Sequence, residues 1–364
     1  MEFIINNGLL EKYNGESVDI TIPDTVSDIA EGAFDGCLLR TVTFPPTLKK
    51  LTVAMPKTLE SVVFSDGTET IENAFAECSN LKQVRLPSTL KVIGDNVFSQ
   101  CTFLGEIDIP DGVVSIGDMA FNRCIFLKSV TLPHGATSIG KSAFSGCSML
   151  ESIDIPDTVV SIGEMAFYLC GNLKSVVVPS GVASIGKGVF SFCNSLESVS
   201  IPHGVISIGE IAFDGCSALK SIHLPDSAAF IGQEAFGGCK SLTDVKTKYF
   251  SPFADTPWGR KIIEQINAEL SAKLADRVNK GVCFYCGSKF KFSLKKAKEC
   301  SQCDYYSDKS VPVAEQERFA ELNDNPFYAA LECASTAEQS GTPKAYAAFA
   351  ALVDEWLDRQ GMQL

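Results

Sequence analysis

Four cysteines toward the C-terminal end are spaced for metal chemistry: Cys283-Phe-Tyr-Cys286-Gly287, a 13-residue loop, then Cys300-Ser-Gln-Cys303. Each Cys-x-x-Cys turn offers two sulfurs on one side of a knuckle, and two knuckles complete the tetrahedron that Zn²⁺ takes with thiolates. Gly287 suits a turn whose amides face the sulfurs. The pattern predicts a structural zinc held by Cys283, Cys286, Cys300 and Cys303. Four protein thiolates leave the metal no open position, so the expected role is a folding staple rather than catalysis. The redox alternative, a thioredoxin-type dithiol, requires a βαβ context that these residues lack.

The same segment carries Lys280, Lys289, Lys291, Lys295, Lys296 and Lys298 among Phe290, Phe292, Tyr305 and Tyr306. Basic side chains interleaved with aromatics can hold single-stranded nucleic acid. In a small metal-stapled unit the same aromatics form the core and the lysines the solvated face. Lys289, Lys291, Lys295, Lys296 and Lys298 are therefore secondary candidates for nucleic-acid contact. Catalysis finds little support. The only histidines are His134, His203 and His223; the first two follow prolines in equivalent turns, and the third sits in a strand. No nucleophile, base and orienter converge, so the chain is expected not to be an enzyme.

The remaining cysteines point to the architecture. From Cys78 to Cys239 they recur every 23 residues, with phenylalanines three residues earlier, from Phe75 to Phe236. Pro87 through Pro225 and Gly94 through Gly232 keep the same beat. Such a period means one supersecondary unit stacked on copies of itself. In Leu150-Glu151-Ser152-Ile153-Asp154-Ile155-Pro156, Ile153 and Ile155 alternate with exposed residues as in a short half-buried strand, which Pro156 ends. Ile162-Gly163 reads as the next corner, and Ala166-Phe167 with Cys170 returns to the interior. Strand centres fall at Ile20, Val42, Val62, Val84, Ile107, Val130, Ile153, Val176, Val199, Ile222 and Val245, with 38–74 shortened and irregular. Stacked cysteines would lie within disulfide reach, but parallel inward side chains predict a reduced, buried ladder.

The unit Leu-x-x-Ile-x-Ile-Pro-x-x-Val-x-x-Ile-Gly-x-x-Ala-Phe-x-x-Cys resembles the BspA-like class of leucine-rich repeats across about 18–250. The resemblance implies a parallel-stranded, curved solenoid. It also implies kinship with bacterial proteins, some of which are surface adhesins. The Cys283–Cys303 segment resembles a zinc ribbon. The expected fold is thus a leucine-rich-repeat solenoid of parallel β rungs with turns or short helices, then a helix, a zinc ribbon and a small α-helical tail. Its parts are a capping hairpin (1–17), the solenoid (18–250), a C-terminal cap and helix (251–280), the ribbon (281–308) and the tail (309–364). Thr256-Pro257 looks like a helix N-cap followed by N1, with Ile263, Ile266, Leu270, Leu274 and Val278 on one face. Pro326 and Pro343 read as starts of tail helices, the second with Tyr346, Phe349, Val353, Trp356 and Leu357 on one side.

A formal charge of −13, most of it in residues 1–260, makes the rod a poor partner for nucleic acid or anionic lipid. No apolar run approaches a membrane span, and the first residues lack a basic and apolar export signal, so a cytoplasmic setting is expected. On the outward strand positions, Ser129, Ser152, Ser175, Ser198 and Ser221 stack beside Lys128, Glu151, Lys174, Glu197 and Lys220, whose alternating signs should pair across rungs. The neighbouring column, Asp108, Thr131, Asp154, Val177, Ser200 and His223, is more varied and supplies the candidate partner-binding residues. The function expected is a non-enzymatic scaffold whose rod binds a protein partner, with the zinc ribbon as a second docking site. The alternatives are a surface adhesin, or nucleic-acid contact through the ribbon.

Overall fold

The computed structural model describes residues 2–247, 256–262, 264, 265, 268, 290–292, 298–300, 358, 359 and 361. Backbone contacts divide the chain into two units, Met1–Lys246 and Thr247–Leu364.

The first unit opens with the antiparallel hairpin Phe3–Asn6 and Leu9–Tyr13. Its Asn7-Gly8 turn holds both residues at positive φ (52° and 84°), as a two-residue hairpin turn with the natural strand twist demands. Leu9 and Leu10 then pair in parallel with Asp28 and Ile29, so the hairpin caps a strand of the first rung in a small three-stranded sheet.

Each rung contributes a strand to a first parallel sheet. Asp19–Thr21, Thr41–Phe44, Ser61–Phe64 and Gln83–Arg85 form one continuous four-stranded ladder, with Ile20, Val42, Val62 and Val84 in register. The shortened rungs at 38–74 therefore keep the ladder intact. Farther on, the sheet continues as pairs: Ser129–Thr131 with Ser152–Asp154, Ser175–Val177 with Ser198–Ser200, and Ser221–His223 with Asp244–Lys246. Ile107 departs from expectation. It is buried, yet it lies outside any strand. Gly105, at the entry of that rung, offers no side chain to pack against its neighbours, which weakens strand pairing there.

A second correction concerns Ile162-Gly163. Instead of a corner, Ser161–Ile162 is a strand, and its equivalents build a second parallel sheet. Six strands from Lys50–Leu51 to Ser161–Ile162 form one block, and Ser184–Ile185, Ser207–Ile208 and Phe230–Ile231 form another. Gly163 is needed because a Cβ there would meet the Lys141 nitrogen and the Gly140 carbonyl carbon of the rung before at 2.5 and 2.6 Å.

A third ladder closes each rung. Phe144 donates its N–H to the Ala166 carbonyl of the next rung, and Ser142 and Gly146 on either side donate to Glu164 and Tyr168 (2.7–2.9 Å). Ser142 and Gly146 have positive φ (53° and 77°), and equivalent residues do the same from Asn73 to Gly238. Alternating left- and right-handed backbone turns these three amides the same way, so every one of them points to the following rung. Inside, Phe75 to Phe236 stack with centroids 5.2–5.7 Å apart and the cysteines Cys78 to Cys239 are buried beside them.

Both β sheets are interrupted at one junction, between the rung of Ile153 and Ile162 and the rung of Val176 and Ile185. The third ladder crosses it: Met165, Phe167 and Leu169 donate to Lys187, Val189 and Ser191.

In the second unit, residues 257–262 are helical. The Thr256 hydroxyl accepts the Gly259 N–H at 3.1 Å, so Thr256 is the N-cap and Pro257 the first helical residue. Phe290–Phe292 pairs antiparallel with Lys298–Cys300, a hairpin where the sequence reads a loop.

Candidate functional site

The outward residues of the first sheet are set by its register. Thr131 lies beside Asp154, and Val177 beside Ser200, because Val130, Ile153 and Val176 are buried in the core and half-buried Val199 pairs in register with Val176. Asp108, Thr131, Asp154, Val177, Ser200 and His223 are all exposed. The first four come together in an open groove of about 790 Å³. Ser200 and His223 continue the column past its end.

The groove has a second wall that the sequence reading missed: Asp111, His134, Asp157 and Thr158, each in the turn just after its repeat proline. The signal was available, since these residues directly follow the repeat proline or lie one further on. Thr158 fixes the turn, its hydroxyl lying 2.8 and 2.7 Å from the carbonyl oxygens of His134 and Ala136. Ile109, Leu132, Ile155 and Pro156 make the floor.

Charge distinguishes this groove from the paired column beside it. Among the described residues, Asp108, Asp111, Asp154 and Asp157 have no ion-pair or hydrogen-bond partner. The adjacent charged column is self-satisfied. Lys174 pairs with Glu151 at 2.7 Å and Lys220 with Glu197 at 2.6 Å, and each lysine's hydrogen bond holds its carboxylate below the usual range. A smaller groove of about 400 Å³ near the N-terminal end is also neutralised, by Arg40 on Asp19 and Lys82 on Glu60.

The repeat thiols are chemically quiet. From Cys101 to Cys239 each Sγ donates to the carbonyl of the phenylalanine on the preceding rung, as Cys147 does to Phe121 at 3.1 Å and Cys193 to Phe167 at 3.2 Å, while Cys78 donates to Pro56 at 3.5 Å. Burial pushes the Cys147 and Cys193 thiols up to about 12, leaving no thiolate to attack or to bind metal at neutral pH. Cys37 alone among them is half-buried, with its thiol 3.7 Å from the Tyr13 carbonyl. His134 and His203 occupy exposed turns and His223 an exposed strand position. No group of three or more metal-ligating side chains occurs among the described residues.

The expected zinc ligands Cys283, Cys286 and Cys303 lie outside the described residues. Cys300 ends a described strand, its backbone opposite Phe290. Lys291 and Lys298 lie in the same hairpin, while Lys289, Lys295 and Lys296 are outside the described residues, as are the helix starts at Pro326 and Pro343.

Parallel rungs with a phenylalanine–cysteine turn define a leucine-rich-repeat solenoid. The chain belongs to the BspA type leucine rich repeat region family, whose model matches residues 5–125, 55–173 and 160–250 in six copies. Among solved structures it is similar to a leucine-rich repeat protein from Bacteroides ovatus, at 27% identity over 62% of this chain and 78% of that one, with a TM-score of 0.41. A leucine rich cell surface protein from Faecalibacterium prausnitzii is 25% identical over 67% of this chain and 92% of that one, with a TM-score of 0.36. The T. pallidum leucine rich repeat protein is 26% identical over 58% and 82%, with a TM-score of 0.37. No curated protein matches. Among the described residues, no helix is long and apolar enough to cross a membrane.

Proposed function

We propose that this protein is a non-enzymatic interaction scaffold that holds a protein partner in the groove of Asp108, Thr131, Asp154 and Val177, with Ser200 and His223 extending the contact. One observation carries the reading. The groove keeps four carboxylates uncompensated around an apolar floor, while charged columns elsewhere on the rod pair internally. Such a surface is poised to exchange water for a partner's own charges and apolar side chains. Asp108→Asn with Asp154→Asn and Asp157→Asn should cut capture of native partners by the tagged chain at least tenfold without lowering its melting temperature. Undiminished capture would remove the groove from the reading.

The second unit supplies the other docking element in this proposal, a zinc ribbon held by Cys283, Cys286, Cys300 and Cys303. Protein purified without chelator should carry one zinc per chain, lost on Cys300→Ser; a metal-free native protein would refute it. A cytoplasmic setting is supported by the rod's cysteines, which form no disulfide among the described residues. Labelling of the protein on intact cells would instead favour the adhesin reading.

A further inference from the structure

The outer face of the second sheet repeats with a period of two rungs, not one. Directly before its strands runs the exposed column Val114, Thr137, Val160, Ala183, Ile206 and Ala229, in which larger and smaller residues alternate. Backbone bonds hold it in file: Thr137 donates to Val114, Val160 to Thr137, Ile206 to Ala183 and Ala229 to Ile206 (2.8–3.0 Å). Val114, Val160 and Ile206 are 46, 58 and 56% exposed, so the large members stand proud of the face. Directly after the strands runs a second exposed column, Asp118, Lys141, Glu164, Lys187, Glu210 and Gln233, alternating in sign from Asp118 to Glu210. Within the chain it is joined pairwise, Lys141 to Glu164 at 3.7 Å and Lys187 to Glu210 at 2.7 Å.

An alternating column is complementary to itself once reversed. Consider a two-fold axis lying in this face, perpendicular to the rod and passing between the rungs of Val160 and Ala183. It sets Val160 against Ala183, Thr137 against Ile206 and Val114 against Ala229, so that in each pair a larger side chain meets a smaller one. The same axis sets Glu164 against Lys187 and Lys141 against Glu210, opposite charges both times. Phe230, 60% exposed where its neighbours in register carry serine, falls against Ser115. An axis through a rung would instead bring like onto like, Lys141 onto Lys187 and Val114 onto Ile206. Size and charge therefore select the same operator, although nothing in the fold of one chain requires the two columns to alternate together.

We propose that the second-sheet face docks a second copy of this chain, antiparallel, in an isologous dimer centred between Val160 and Ala183. The strip spans six rungs, about 29 Å at ~4.8 Å each, which puts the contact at the small end of specific interfaces and makes the dimer a weak, concentration-dependent one.

Sedimentation equilibrium of the full chain from micromolar to about millimolar concentration tests it. The expected result is reversible dimerisation that weakens as salt screens the charge column. Lys141→Glu with Lys187→Glu makes that column uniformly acidic and should weaken the dimer at least tenfold. Adding Glu164→Lys and Glu210→Lys inverts the alternation but keeps it self-complementary, and should restore the dissociation constant to within about threefold. Because the inversion also re-forms the pairs within the chain, the two-site variant must keep the wild-type circular dichroism spectrum and melting temperature while its dimer weakens. Ala183→Trp, which fills a recess opposite Val160, should also abolish the dimer while the circular dichroism spectrum stays unchanged. A strictly monomeric chain at the highest concentration, a dimer indifferent to these substitutions, or a four-site inversion that fails to dimerise while still folded would each overturn the proposal.

Discussion

The thiol of Cys147 illustrates how single residues are used in this rod. It is buried, it donates to a backbone carbonyl one rung back, and its ionisation is pushed from 9.0 up to about 12 by burial. Cys78, Cys193 and Cys239 are raised to the same extent. The unfolded chain therefore gives up these protons first as pH rises. Stability is fully present below pH 9 and should fall steadily as pH climbs toward 12, when the unfolded state gains thiolates that the folded core refuses. Denaturation midpoints measured between pH 8 and 11 should fall, and Cys147→Ala with Cys193→Ala should flatten the decline; parallel curves would contradict the argument. These residues were legible in the sequence because each performs one task in one place, so its type recurs. The left-handed positions were not legible, since Asn96, Met119, Met165, Ile211 and Glu234 share a backbone angle and no side-chain chemistry. The second wall of the groove was missed although Asp111, His134 and Asp157 each follow the repeat proline, because the sequence does not show that these turns fold beside the strand column.

At the scale of the element, the rung is held more by its phenylalanine than by its charges. Phe167 is fully buried and stacks on Phe144 and Phe190 with centroids 5.5 Å away on both sides. Phe167→Ala should cost about 3–5 kcal/mol, because neighbouring rungs are fixed by their own ladders and cannot close the cavity. Lys174→Ala, which breaks an ion pair whose partners are 63 and 50% exposed, should leave the melting temperature nearly unchanged. A thermal melt of the two variants side by side checks both, and a reversed order would mean that the charge column carries the stack. The second sheet escaped the sequence reading because its strands have two residues, too few to display a period. The alternating charges were visible as a column, yet they join as separate pairs rather than as one continuous chain.

Across the whole solenoid, stability is not evenly distributed. The junction after the rung of Ile153 lacks both β ladders and is bridged by the third ladder, the Phe167–Phe190 stack and two longer backbone bonds, Asn172 to Ser148 and Lys174 to Glu151 at 3.2 Å. Hydrogen exchange should open the rod there first, with amides of Ser175–Val177 and Ser184–Ile185 exchanging faster than those of Ser152–Asp154 and Ser161–Ile162. Uniform protection along the array would show that side-chain packing alone equalises the rungs. Length, topology and core were legible from the 23-residue beat, because a stack needs only local repetition to be specified. The interruption was not, since the residues on either side of it obey the same pattern.

The third ladder has an electrical consequence. From Asn73 to Gly215 its amides all face the C-terminal neighbour and its carbonyls all face back, so the peptide moments add along the rod instead of cancelling as they do between β-strands. The other faces of each rung oppose it: Glu151, Val160 and Gly163 donate back to Lys128, Thr137 and Ile139 of the rung before, so the turn column is positive toward Glu234 and the sheet edges run the other way. That opposition across the rung is written in the backbone, so no exchange of surface side chains reverses it.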